Sequence, residues 1–208
     1  MMNVSYLKTL LKSIADIMKE NKDHLIALDS VVGDGDLGLT MSDGFAAAYK
    51  NVKESQETDA GKLLYMAGKA MSTAVPSTMG TLMASGLMQA GKGLKGKTDL
   101  QKEDLATLFL AYEEGVANRG KAKIGEKTFL DGLHPANVML KECLSNGNSL
   151  LEAAKQSAQA AMQGYEDTMT MLALHGRAAT RGEASRTLKD PGAYVAALIM
   201  QAFVKSLV

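Results

Sequence analysis

The sequence predicts an all-α protein, a bundle of about eight helices joined up and down by loops. Apolar residues recur at three-four spacing along nearly all of its 208 residues. No stretch alternates apolar and polar residues as a half-buried strand would. Three prolines, four phenylalanines and no tryptophan leave Leu, Met and Ala to fill a helical core, with the fourteen methionines as packing filler.

In the first helix Val4, Leu7, Leu11, Ile14 and Met18 form the apolar stripe, widened by Leu10 and Ile17. A second helix is expected over about 41–52, a third over 60–74, and a fourth, rich in Met, Ala and Leu, over 81–92. The fifth carries Leu105, Leu108, Phe109, Tyr112 and Val116 on one face. The sixth is expected from about Leu133, because Pro135 is tolerated in a first turn but not in a helix interior. Ser149 and Glu152 stand at capping-box spacing before a seventh helix running to about Leu174. The eighth opens with Asp190 as N-cap and Pro191 as first helical residue, followed by Val195, Leu198, Ile199, Ala202 and Phe203.

The length fits one domain, 1–208, able to bury a core without staples. Lys plus Arg and Asp plus Glu each number 23, a balance that argues against a nucleic-acid partner. The single cysteine, Cys143, allows no intrachain disulfide and reads as a core thiol in a helix. No apolar run approaches the ~20 residues of a membrane span, and the N-terminal stretch lacks the apolar core and cleavage site of a signal peptide. A cytoplasmic protein, away from any membrane, is the expectation.

If the helices alternate up and down, four connections share one end: "DSVVGDGDLGLT" (29–40), "AVPSTMGT" (74–81), "NRGKAKIGEKTFLDG" (118–132) and "HGRAATRGEASRTLKDPGA" (175–193). The connections at the other end are plain polar turns. The first of the four sets Asp29, Asp34 and Asp36 among three glycines. An oxygen-only donor set suits a hard cation, Mg²⁺ or Ca²⁺, rather than zinc. An EF-hand is excluded, because counting from Asp34 the sixth position is Leu39 and the twelfth is Phe45. The other reading is a solvated turn whose aspartates cap the next helix.

The facing loops carry Arg119, Lys121, Lys123, Lys127, Arg177, Arg181, Arg186 and Lys189 among glycines, a composition that suits phosphate oxygens or an ordinary solvated surface. Ser77 and Thr78 add hydroxyl donors ahead of a helix N-terminus, where anions bind readily. Together these describe a metal–polyphosphate site, with neither a Walker lysine motif nor a kinase-type glycine loop. His175 is expected either to touch a ligand from its loop or to end the seventh helix, where a cationic ring interacts favourably with the last carbonyls.

"LDSVVGDGDLGLTM" resembles the metal loop of the dihydroxyacetone kinase L subunit family, also called the DAK2 or nucleotide-binding domain, with its D-x4-D-x-D pattern met by Asp29, Asp34 and Asp36. "NRGKAKIGEKTFLDGLHPA" and "GRAATRGEASRTLKDPGA" resemble two further family segments, in the expected order and across essentially the whole chain. The resemblance implies a barrel of eight antiparallel helices with ADP or ATP and two Mg²⁺ ions at one open end. It implies a separate K subunit that holds a short-chain ketose. In systems fed by a phosphotransferase-system (PTS) phosphocarrier subunit, it implies a bound ADP that is recharged in place.

Carried over, the resemblance makes Asp29, Asp34 and Asp36 metal ligands and gives the chain no covalent nucleophile. Leu37, Gly38, Leu39 and Thr40 would contact phosphates, Ser77 and Thr78 would line the phosphate or ribose region, and Gly120 and Phe129 the adenine pocket. Arg177 would stabilise the phosphates, with Asp190, Pro191 and Gly192 closing over the nucleotide. The chain departs from the family where Leu37 replaces a histidine, Thr40 an asparagine, Ala179 a serine, and "AVPSTMGT" a glycine-rich segment. The expected function is therefore the nucleotide-binding subunit of a ketose kinase. A paralogue for another ketose such as a tetrulose with free ATP, a Mg-nucleotide-sensing module, or a purely structural helical protein are the alternatives. A homo-oligomer is compatible with all of them.

Overall fold

The computed structural model describes residues 2–208 of the chain. Nine α-helices follow in order: α1 (Val4–Glu20), α2 (Lys22–Val32), α3 (Leu37–Val52), α4 (Ala60–Ala74), α5 (Thr78–Gly93), α6 (Lys102–Gly120), α7 (Phe129–Ser145), α8 (Leu150–Asp167) and α9 (Pro191–Lys205). Short 3-10 segments cover Thr168–Thr170 and Arg177–Thr187. A two-residue antiparallel pair joins β1 (Met2–Asn3) to β2 (Asp99–Leu100), too short to have left an alternating pattern.

Most helix starts are fixed by side chains that take up first-turn N–H groups. Asp59 accepts from Gly61 N at 2.8 Å, Ser77 from Gly80 N at 3.0 Å, Ser149 from Glu152 N at 3.2 Å and Asp190 from Ala193 N at 2.7 Å. The expected caps of the last two helices therefore hold.

Eight helices close a ring. α1 packs on α3, and each of α3 to α9 packs on the next until α9 meets α1 again. Phe45, Phe109, Phe203, Leu7, Leu63 and Met71 are fully or almost fully buried inside one continuous core, and Met18, Met41, Met83 and Met200 are among its filler. Cys143 is buried, as its helical setting predicts.

The ninth helix is the main departure from expectation. At Asn21 the side-chain amide donates to the Ile17 carbonyl at 2.9 Å, ending α1, and α2 restarts at once. Only Leu25 and Val32 of α2 are buried, so its residues carry little periodicity. It packs on α3 outside the ring. Because it lies between the ring helices α1 and α3, the sorting of loops to two ends is undisturbed.

Other boundaries shift in consequence of capping and packing. α3 starts at Leu37 rather than about 41, so Leu37–Thr40 form its first turn. α8 stops at Asp167, where the Thr168 hydroxyl donates back to the Tyr165 carbonyl at 2.6 Å, well short of 174. His175 consequently ends no helix; its Nε2 lies 2.6 Å from Glu126 Oε2.

α7 starts at Phe129, not 133, leaving Pro135 inside it. A proline has no N–H, so the Asp131 carbonyl loses its helical partner. Gly164 of α8 sits over that carbonyl, and a Cβ there would overlap it and come within 2.8 Å of Pro135 Cγ. Gly164→Ala is therefore expected to cost about 1–3 kcal/mol, read as a lower urea midpoint at unchanged slope. An unchanged midpoint would mean that α8 slides freely off the carbonyl.

Candidate functional site

Asp29 lies in the last turn of α2, and Asp34 and Asp36 in the short connection to α3. One carboxylate oxygen from each lies within 4.8 Å of the other two. Gly35, at φ +76°, supplies the left-handed bend between the last two, a conformation that costs glycine little. Asp29 Oδ2 accepts from Leu37 N at 3.3 Å, tying the end of α2 to the start of α3. Burial pushes the Asp29 carboxyl above its usual range, the Leu37 N–H opposes this, and the neighbouring Asp34 and Asp36 charges add to it.

Asp36 stands at the N-cap position of α3 but makes no side-chain cap bond. The solvated-turn reading, in which these aspartates cap the helix, therefore rests on the Asp29–Leu37 N contact alone. The first turn of a helix leaves its N–H groups without intrahelical partners, so the amides of Gly38 and Leu39 adjoin the acidic cluster with the positive end of α3 behind them. The Leu39 side chain is half-exposed, whereas Leu37 and Thr40 are buried.

The other connections reach the same place. Ser77 Oγ lies 3.4 Å from Thr40 Oγ1, while Thr78 is exposed as the first residue of α5. An Arg177 Nη is paired with Asp34 Oδ2 across the cluster. Glu126 accepts from Lys123 N at 2.7 Å and faces His175, and Leu174 N donates to the Glu126 carbonyl at 3.3 Å, joining the 121–128 and 168–190 segments. The Lys123 N–H first, then His175, holds the Glu126 carboxyl below its usual range. All four connections singled out by their composition thus meet at one end of the barrel.

Two expected roles need correction. The Phe129 ring is 2% exposed, packed in the core with its centroid 6.1 Å from that of Tyr112, so it does not line an open pocket. Gly120, at the end of α6, stays partly open. Lys127, expected as a phosphate-facing cation, is 2% exposed and points inward. Its Nζ donates to the carbonyls of Thr168, at 2.5 Å, and of Leu188. Burial lowers its pKa, with Asp190 and Asp131 opposing the shift. Asp190, Pro191 and Gly192 are buried at the start of α9, with Gly192 packed on the Phe129 backbone. Burial pushes the Asp190 carboxyl up to about 7, against the pull of the Ala193 N–H and Lys127.

Asp131 was not singled out from the sequence. It accepts from Thr128 N at 2.6 Å and Gly125 N at 2.5 Å, shaping the 121–128 loop. Its signal was the Thr128–Asp131 spacing, a capping box that the structure completes.

The fold is an all-α ring of helices whose one end gathers three carboxylates, the first turn of α3 and an arginine. The DAK2 domain model matches residues 31–205. The ADP-binding subunit DhaL of the PEP-dependent dihydroxyacetone kinase of Escherichia coli is 32% identical over 189 residues, covering 89% of this chain and 89% of that protein. The corresponding subunit of kinase 2 of Listeria innocua is 28% identical over 208 residues, covering 99% of this chain and 96% of that protein. The L-erythrulose kinase of Pectobacterium atrosepticum is 34% identical over 194 residues, which are 92% of this chain but 33% of that protein. In fold, the chain is similar to the dihydroxyacetone kinase of C. freundii, with a TM-score of 0.70 at 24% identity over 99% of this chain and 35% of that one. The chain belongs to the DAK2 domain family. Among the described residues, no helix is long and apolar enough to cross a membrane.

Proposed function

We propose that the chain is the Mg-nucleotide-binding subunit of a dihydroxyacetone-type kinase, a phosphotransferase that passes the γ-phosphoryl of ATP to a ketose held on a separate K subunit. The observation that carries this reading is the convergence of Asp29, Asp34 and Asp36 within 4.8 Å beside the first turn of α3. The whole chain, 1–208, acts in this reading as one nucleotide-binding domain.

The three carboxylates fit a hard cation by donor chemistry alone, and they would hold the Mg²⁺ that the family resemblance gives as two ions. Metal bound there supplies neutralisation of the charge that builds on a transferring phosphoryl group. The chain's own part is positioning, which is most of what phosphoryl transfer needs. The amides of Gly38 and Leu39, with the Thr40, Ser77 and Thr78 hydroxyls, would donate to phosphate or ribose oxygens, and Leu37, whose N–H is taken up by Asp29, would border them. Arg177, paired with Asp34 in the structure, would supply its guanidinium to the phosphates. Gly120 would border the base, and Asp190, Pro191 and Gly192 would hold the returning segment closed. Phe129 would support that pocket from the core rather than line it.

Two finer points rest on relatives. The E. coli and L. innocua proteins are subunits of PEP-dependent kinases, which supports a K-subunit partner and a PTS phosphocarrier that recharges bound ADP. A dihydroxyacetone kinase of C. freundii is known in complex with AMP-PNP and Mg²⁺, which supports the cofactor pair. A second reading, a tetrulose as substrate with free ATP, is favoured by the 34% and 31% identity to the L-erythrulose kinases of P. atrosepticum and Mycolicibacterium smegmatis.

The test is to denature freshly purified protein and identify the nucleotide released, before and after dialysis against a chelator. Near-stoichiometric ADP or ATP that chelation removes is expected. Nucleotide that survives chelation, or no binding of added MgADP or MgATP, would sink the metal–nucleotide reading.

A further inference from the structure

The segment from Thr168 to Asp190 leaves the barrel after α8, carries Arg177, and returns to α9. Its own interior is thin: Ala173 and Ala178 pack with Val32 and Leu188 apart from the main core. Inside it, the buried Ser185 hydroxyl accepts from Ala173 N at 3.0 Å. So small a cluster cannot by itself fix a segment of this length.

Contacts to Glu126 and Asp34 tie the middle of the segment, Arg186 and Lys189 tie its ends at the surface, and a buried joint holds its two feet together. Asp190 N donates to Thr168 Oγ1 at 3.0 Å, and that hydroxyl donates in turn to the Tyr165 carbonyl at 2.6 Å. The head of Lys127 is wedged between the feet, donating to the Thr168 carbonyl on one side and the Leu188 carbonyl on the other. Asp190 and Asp131 are the acidic groups that attract it, and Arg186 is the cation that opposes it. Lysine is almost never fully buried unless its charge is satisfied, and here the residue also adopts a left-handed backbone, φ 61°. Lys121 in the same loop is left-handed too but exposed, so it is burial that sets Lys127 apart from a surface cation.

We infer that Lys127 is a positioning residue: its buried ammonium joins the two feet of the 168–190 segment and so holds Arg177 in register with Asp34 across the acidic cluster. Lys127 acts through the segment, because its head is already engaged by the two carbonyls. Its effect on ligand binding rests on the metal–nucleotide reading; its effect on the segment does not.

The experiment uses the full-length chain with Lys127→Met, Lys127→Arg and Thr168→Val. Amide hydrogen exchange is expected to accelerate at least tenfold in peptides covering 169–188 for Lys127→Met and Thr168→Val, with α4 to α6 unchanged. Lys127→Arg keeps the charge and the donors and is expected to recover part of the protection. Dissociation of MgADP should quicken at least tenfold in the same two variants, while affinity for Mn²⁺ alone stays at the wild-type value.

Equal acceleration in every helix would reduce Lys127 to a contributor to global stability and overturn the inference. So would a segment whose exchange is unchanged in both variants, or one that opens without altering MgADP dissociation from a wild type that binds it. If the wild type binds no MgADP, the metal–nucleotide reading fails and exchange alone decides the role of Lys127. If Lys127→Met does not fold, Lys127→Arg decides it, since a guanidinium that cannot seat on both carbonyls should loosen 169–188 and quicken MgADP dissociation together. Thr168→Val, which removes only the hydroxyl between Asp190 N and the Tyr165 carbonyl, reports on the joint without Lys127.

Discussion

Asp34→Ala is expected to remove Mg²⁺-dependent nucleotide binding and to lower phosphoryl transfer with a K-subunit partner at least ~1000-fold, about 4 kcal/mol of transition-state stabilisation. The thermal midpoint should move by no more than about 2–4 °C, equivalent to ~1 kcal/mol for a chain of this size. The two halves of this result follow from the same geometry. Carboxylate oxygens within 4.8 Å of one another repel. At an effective dielectric of 20 the Coulomb energy is about 3 kcal/mol per pair, less where solvent screens it as at Asp34. Removing one acid relieves that repulsion in the metal-free protein.

What the fold loses in exchange is the ion pair with Arg177, whose side chain is 68% exposed. Exposed pairs are worth about 0–1 kcal/mol. Of the three acids only Asp29 takes up a first-turn N–H of α3, so the charge on Asp34 gives the fold little in return for the repulsion. If Asp34→Ala instead unfolded the chain while residual protein still bound nucleotide, the acidic loop would be a structural cap and the proposed metal role would fall. The measurements are a melting curve and a MgADP titration on the same sample.

The ring of helices was legible because its evidence is local. Val4, Leu7, Leu11, Ile14 and Met18 repeat on one face of α1 and are all buried. The Asp190–Pro191 start of α9 is written in two adjacent residues that cap and begin a helix. The gathering of four unusual connections was legible too, because successive ring helices alternate in direction and α2 lies between the first two of them. What escaped was non-local. α2 is held by α3 and not by its own pattern, since Leu25 and Val32 alone face inward. Lys127 looks like any loop cation until Thr168 and Leu188, 41 and 61 residues further on, bring their carbonyls to it. Pro135 pointed to a helix start at 133, yet the Thr128–Asp131 box starts the helix four residues earlier and Gly164 shelters the carbonyl left unpaired.

Gly38 couples fold and site, so its substitution should damage both. A Cβ on Gly38 would overlap the Lys22 carbonyl and lie 2.7 Å from Ile26 Cγ1 and 3.0 Å from Ile26 N. Two of those three neighbours are backbone atoms of α2, which no rotamer change can move aside. Gly38→Ala must therefore push α2 away from α3, at an expected cost of about 2–3 kcal/mol for overpacking at a backbone contact. The displacement also reaches the site, because Asp29 rides on α2 whereas Asp36 is fixed at the start of α3. A shift of ~1 Å between groups that must converge on one ion can cost roughly 100-fold in activity, and the Asp29–Leu37 hydrogen bond would be strained in the same movement. The expected result is a urea midpoint lowered at unchanged slope together with Mn²⁺ and MgADP affinities reduced at least tenfold. A lowered midpoint with wild-type affinities would mean that α2 and α3 move as one body, so that the contact at Gly38 supports the barrel without setting the spacing of its carboxylates.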